Sequence, residues 1–533
     1  TALLYIVNTR VSVPLSFMPA YGAIAFLPFS LKPIYAFVSS HNCPRQSSSN
    51  RNILLICLWL CNAITTAGSA WIPKGGLFWC FVLGFLRGVA VAWPEFLLGL
   101  SLLDQVSTTA TTTRESYESI AAQFQSSAAT CRNVGSLMAN LVLFGVFLSR
   151  HIVVGQEEDE IQQNELNDAV VQWLMYGTAL LSVLGASCAW IYAVGTIVPS
   201  QDATSVTTTN GLYTRVETQE PTQVPIENHD TSHGNSCRMN NSLWGNALIV
   251  ILLQLLILVG CLREPLVRAT SNMVWKVTAW CLGVGLVLIA LLRTVGVGLP
   301  WNHSVSYRLG IFLVVKHAMP TLSMLIESFI YELFQSTPLL LQVVGLLRMA
   351  ATTMSSWSFG KLLKARNVGD GCDEHRPKQW RLLVVATTLF YVLASLLNLF
   401  VVQDNVASLP WQRLLCRVGL VGFLTTFFEE WFFLPSVILA TASAKPLSQA
   451  GRLPWTQQEE GPREDERRWM RYVQYGTLIS CIDFGGQLGS WLTVPLIEAF
   501  GIRRDNNWAH VDTFVLFAAL CNLLPLGLVP TFS

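Results

Sequence analysis

Nine residues able to hold a charge or a polar solute lie inside long apolar stretches: Lys32, Arg87, Glu95, Gln125, Arg132, Glu327, Arg348, Glu429 and Asp483. A charge at membrane depth costs about 2.5–3.5 kcal/mol on insertion scales, so such residues are kept for a partner or for a function. A carboxylate there can take up and release a proton. A guanidinium offers a fork that binds planar anions at two points. Lys32 sits in "FLPFSLKPIYAF" beside a proline that removes a backbone donor, and reads either as a snorkelling anchor or as a cavity group. Arg87, inside the small-xxx-small step "GFLRG", and Glu95, after Pro94, lie two turns apart on similar faces of one helix. Gln125 and Arg132 share a face with Gly135 and Ala139. Arg132 reads as an anion contact or as a structural partner of Glu95 or Asp483. Glu95 reads as a proton site or as one end of an interhelical salt bridge. Glu429 and Glu430 are adjacent and must point different ways, so at most one is expected to line a cavity. The candidates for solute binding are therefore Lys32, Arg87, Gln125, Arg132 and Arg348. The candidates for carrying protons are Glu95, Glu327, Glu429 and Asp483. His317 is expected to be a packed polar residue rather than a relay.

The elements that must position these groups follow from composition. Of 533 residues, 52% are hydrophobic and 13% charged, and the mean hydropathy is +0.45. A soluble domain carries about 25% charged residues. Half that charge leaves too little polar surface to solvate a globule, so the chain is read as an all-α polytopic membrane protein of about 12–14 transmembrane helices. Apolar runs of spanning length lie near 14–38, 53–73, 77–103, 123–148, 170–197, 243–262, 273–297, 308–333, 338–362, 381–402, 413–441, 471–499 and 511–531. The opening "TALLYIV" reads as the end of a truncated first helix. The Ser/Thr/Asn-rich stretch 199–242 reads as a flexible cytoplasmic linker. It divides an N-terminal transmembrane bundle (1–198) from a connecting helix pair (243–300) and a C-terminal bundle (301–533). Lys and Arg in 361–381 and 444–471 place those loops on the cytoplasmic side, with the acidic loop 153–168 outside. On that register the sequons at Asn240 and Asn302 stay inside, unglycosylated.

Several function classes are excluded. A net charge of +1 with no basic stripe gives no reason to expect nucleic acid. The 13 cysteines show no paired CxxC spacing, so neither a disulfide framework nor a metal site is expected, and no cofactor. The eight histidines are scattered and no phosphate-binding loop appears, so the chain is not read as an enzyme.

Three stretches carry a resemblance. "LPFSLKPIYAFVSS" (27–40) resembles the second-helix motif of the folate–biopterin transporter family, a branch of the major facilitator superfamily, which reads approximately LPW-x-x-KP-x-YG-x-x-SD. "AAQFQSSAATCRNVGSLMANL" (121–141) looks like that family's fifth-helix stretch. "VQYGTLISCIDFGGQLGSWL" (473–492) is similar to its late YG-x-x-x-S-x-x-N-x-G helix. The sequence departs from the pattern at Phe29 for Trp, Ala36 for Gly, Ser40 for Asp and Asp483 for Asn. The resemblance implies a major-facilitator-type two-bundle fold and proton-coupled, alternating-access symport of folate or pterin solutes. It implies a monomer in a lipid bilayer, at a plasma membrane or a plastid envelope. A carrier for another organic anion, or a solute sensor that does not transport, stays open beside it.

Overall fold

The computed structural model describes residues 27–32, 35, 48–73, 77–112, 117–154, 172–173, 175–188, 304–333, 338–367, 376–403, 410–444, 464–502 and 508–532. The expected helices 243–262 and 273–297, the linker, the two sequons and nearly all of the acidic loop lie outside the described residues. A 3₁₀ turn, η1 (Leu27–Leu31), comes first, then α1 (Ser48–Ser69), α2 (Leu77–Thr112), α3 (Tyr117–Val154) and a helical stretch α4 over 175–188. After the undescribed middle come α5 (Ser304–His317), α6 (Ser323–Leu333), α7 (Pro338–Asn367), α8 (Arg376–Leu396) and α9 (Asn398–Val402). The chain closes with α10 (Trp411–Ser443), α11 (Glu464–Ala499), α12 (Val511–Cys521) and the 3₁₀ turn η2 (Leu524–Phe532).

Every described element is helical, as an all-α membrane protein requires. Among the described residues, four spans are long and apolar enough to cross a bilayer: Phe78–Ala110, Trp380–Val402, Gln412–Ser443 and Val511–Val529. The helices α3, α7 and α11 are also long enough, at 38, 30 and 36 residues.

One expected helix is two. The apolar run 308–333 is interrupted at 318–322, between α5 and α6, where Pro320 lies. Proline lacks the donor that would continue the ladder and pushes Met319 out of the helical region. The interruption is held by α11. Gly485 and Gly489, one turn apart, face it so closely that a Cβ at Gly489 would overlap the Met319 carbonyl oxygen. A Cβ at Gly485 would lie 2.7 Å from the Val314 oxygen. The Thr493 hydroxyl accepts a hydrogen bond from the Thr321 amide at 2.9 Å, taking up one backbone donor that the break exposes. The GxxxG step thus acts as a close-packing surface, but against a broken helix. Gly489→Ala is expected to destabilise the fold by about 1–3 kcal/mol, the usual cost of overpacking, read as a lowered thermal midpoint of the detergent-solubilised protein.

Two seams join elements distant in sequence. At the first, η1 packs on α11 and α2. Leu31, Tyr35, Phe96, Leu100, Tyr475 and Leu478 share one buried apolar cluster there, and Tyr35 stacks on Trp93 at 4.9 Å. At the second, α3 packs along α7 and α10 through short polar side chains. Ser126 donates to the Ser356 carbonyl at 3.0 Å, and Asn133 to the Thr352 carbonyl, the Ser356 hydroxyl and Glu430, each at 3.2 Å. Small and hydroxylated residues bring helix backbones together where apolar contact with lipid would do as well as contact with another helix.

Candidate functional site

The two seams carry nearly all of the charged residues singled out above. Lys32, at the end of η1, is buried, with only 4% of its side chain exposed. Its Nζ lies 2.7 Å from Asp483 Oδ2 on α11, and 5.4 Å from the centroid of the Phe29 ring. The lysine therefore reaches neither an interface nor open space. Pro28 and Tyr35 fix the turn that aims it, because the Tyr35 hydroxyl donates to the Pro28 carbonyl at 2.9 Å. Glu95 and Tyr475 are close enough for their charge and dipole to act on Lys32, as Glu95 and Arg132 are on Asp483.

Arg132 holds the centre. Its Nη1 lies 3.5 Å from Glu95 Oε1 on α2, and its Nη2 lies 3.6 Å from Glu430 Oε1 on α10. Charged N–H···O⁻ bonds run at about 2.7–2.9 Å, so both contacts are electrostatic rather than closed hydrogen bonds. Arg132 is 48% exposed and Glu95 43%, while Glu430 is 12% exposed. Glu430 is anchored independently by Asn133, the neighbour of Arg132 on α3. Gln125, two turns earlier, is buried and donates to the Thr441 hydroxyl at 2.8 Å. Its side chain also meets Tyr475, so it ties α3 to both α10 and α11.

A third pair completes the set. Arg348 Nη1 on α7 donates to Glu327 Oε1 on α6 at 2.9 Å. Its Nε lies against Gly422 of α10, where any side chain would crowd it. Glu429 is exposed and forms no ion pair among the described residues, yet lies within the reach of the Arg348, Glu327 and Glu430 charges. The charges thus run from Asp483 and Lys32 through Glu95, Arg132 and Glu430 to Glu429, Arg348 and Glu327, alternating in sign except between the two adjacent glutamates. Arg87 makes no ion pair among the described residues.

The geometry separates these cations. Lys32 and Arg348 are committed to short bonds, whereas Arg132 is half exposed and has no closed hydrogen bond. Sequence reasoning put Glu429 ahead of Glu430, but Glu430 is the residue that meets Arg132. Adjacent residues on a helix point about 100° apart, so two neighbouring glutamates can serve two different seams, and the doublet was the available signal. Asn133 and Tyr475 carry no charge to mark them, although Tyr475 is the tyrosine of the YG step in 473–492.

Beside this network Lys316 and His317 end α5. Lys316 is 1% exposed and donates to the Phe432 carbonyl at 2.6 Å and the Ser436 hydroxyl at 2.9 Å. His317 Nε2 lies 3.0 Å from the same hydroxyl, and its ring packs edge-on against Phe432 and Phe433. Among the described residues no cluster of three or more His, Cys, Asp or Glu has the arrangement of a metal site. No protein-family model matches the chain, and no curated protein matches it significantly.

Proposed function

We propose that the chain is a secondary active carrier with a major-facilitator-type two-bundle fold, moving folate or pterin solutes together with protons. The observation that carries this reading is Arg132, a half-exposed guanidinium held 3.5 and 3.6 Å from two carboxylates. An arginine placed so can give up either contact for the carboxylate of a solute, which its fork binds at two points. The carboxylate it leaves has then lost its counter-charge, and neutralising it lowers the cost of holding it at membrane depth. A proton on Glu95 does this. Solute anion and proton thereby favour each other's binding, which is the thermodynamic core of symport.

Two further features support the reading. The contacts of η1 with α11, and of α3 with α7 and α10, join early helices to late ones, as two bundles meeting at a midplane site would. The three motif stretches contribute Lys32, then Gln125 and Arg132, then Asp483, so the residues of the resemblance and those of the network coincide. Asp483, where the family has asparagine, is neutralised by Lys32.

Counterflow into liposomes containing the full chain tests this. Labelled folate or biopterin should accumulate against unlabelled solute, faster with an acid exterior. Accumulation of a different organic anion alone would overturn the substrate and leave a carrier. Solute binding with no counterflow would make the protein a sensor.

A further inference from the structure

We propose that Lys316 fastens the break between α5 and α6 to the proline-weakened turn of α10, so that the break and that turn bend as a single hinge. Three observations meet at this point. First, Lys316 is a fully buried ammonium outside every ion pair among the described residues. Its donors go instead to one short stretch of α10: the Phe432 carbonyl, the Ser436 hydroxyl, and the face of the Phe432 ring, 4.2 Å from Nζ to centroid. A buried cation held only by uncharged groups is expensive to keep for packing alone, since an apolar residue of similar volume would fill the same space.

Second, both partners sit where a helix is already weakened. Pro435 lies inside α10 between Phe432 and Ser436, and has no N–H to give the Trp431 carbonyl. On the other side, α5 ends one residue after Lys316, and 318–322 is not helical. The lysine therefore links an interruption to a weakened turn, with its backbone at the edge of the break and its ammonium on the turn that holds Pro435.

Third, the hydrogen bonding closes on itself. Ser436 has a single hydroxyl proton. While Lys316 donates to Ser436, that proton is free to go to His317 Nε2, which then accepts and leaves the ring proton on Nδ1. His317 thereby adds a second strut from the break to the Pro435 turn. Because α11 also closes on the break through Gly485 and Gly489, the break can change its angle only by carrying that turn of α10 with it. This inference does not rest on the carrier assignment and stands or falls separately.

Amide hydrogen exchange on the full chain in lipid nanodiscs tests it. In Lys316→Met, exchange is expected to rise at least tenfold in two windows, 318–322 and 432–439, with little change in 55–66 of α1, whose buried Leu58 and Ala63 lie outside the clusters at both sites. Ser436→Ala, which removes one of the two acceptors and the contact with His317, should raise the same two windows by less, and covers the case in which Lys316→Met does not accumulate. Faster exchange in one window only would overturn the proposal, because the break and the Pro435 turn would then be independent. A uniform rise across all three windows would overturn it too, marking the lysine as general packing.

Discussion

Arg132→Ala is expected to abolish solute counterflow, with a loss of at least a hundredfold in rate and a far smaller effect on folding. The asymmetry follows from the two carboxylates left behind. Glu95 is 43% exposed and can be hydrated, while Glu430 keeps its hydrogen bond from Asn133. Neither is stranded as a bare buried charge. The solute carboxylate, by contrast, loses its fork. Truncating one side of a closely hydrogen-bonded charge pair costs about 2–5 kcal/mol, and each 1.4 kcal/mol is about tenfold in affinity. Arg132→Lys keeps the charge without the two-point geometry and is expected to retain a few per cent of the rate. Counterflow and solute affinity, measured side by side with thermal stability, check this. Wild-type rates in Arg132→Ala would overturn the central role of this residue.

The second large effect concerns stability. Lys32 and Asp483 are 451 positions apart in sequence and 2.7 Å apart in the fold, on the seam between η1 and α11. Removing one partner of a buried ion pair leaves a charge without compensation, at about 3–5 kcal/mol, whereas replacing both with apolar groups is often neutral or stabilising. Lys32→Met and Asp483→Leu should therefore each lower the denaturation midpoint in mixed micelles sharply. The double variant should recover at least half of the combined loss. Glu95 near the lysine and Arg132 near the aspartate blunt each single effect without removing it. Strictly additive losses would show that the two side chains do not depend on one another.

These pairs also show how far the sequence could be read. Among the described residues, apolar run length located the long helices, because burial in lipid requires unbroken internal hydrogen bonding, a local property. The ends were less legible. The run 77–103 continues as helix through a Ser/Thr tail to Thr112, since neighbouring turns and packing decide where a helix stops. Prolines were ambiguous in the same way. Pro94 and Pro435 lie within continuous helices, but Pro320 coincides with a break into which α11 fits two glycines. Nothing local distinguishes the three, because the deciding contact comes from a residue more than a hundred positions away. In the site, the Glu95–Arg132 contact was one of a few pairings the sequence left open. The Lys32–Asp483 contact was not, as it depends on how the first described element meets α11.

The polar seam between α3 and α7 has an energetic consequence. Four hydrogen bonds, from Ser126 and Asn133 to Ser356, Thr352 and Glu430, cross from α3 to its neighbours. Interhelical hydrogen bonds inside a membrane average about 0.6 kcal/mol each, so together they contribute about 2 kcal/mol. That equals roughly a thirtyfold preference in ligand affinity between two arrangements of the protein. Three of the four acceptors are carbonyls or hydroxyls of a kind that recurs at every turn of α7, so a small slide trades one partner for its like. The contact works as a bearing rather than a weld, and a small molecule that favours one tilt modestly has enough leverage to set it.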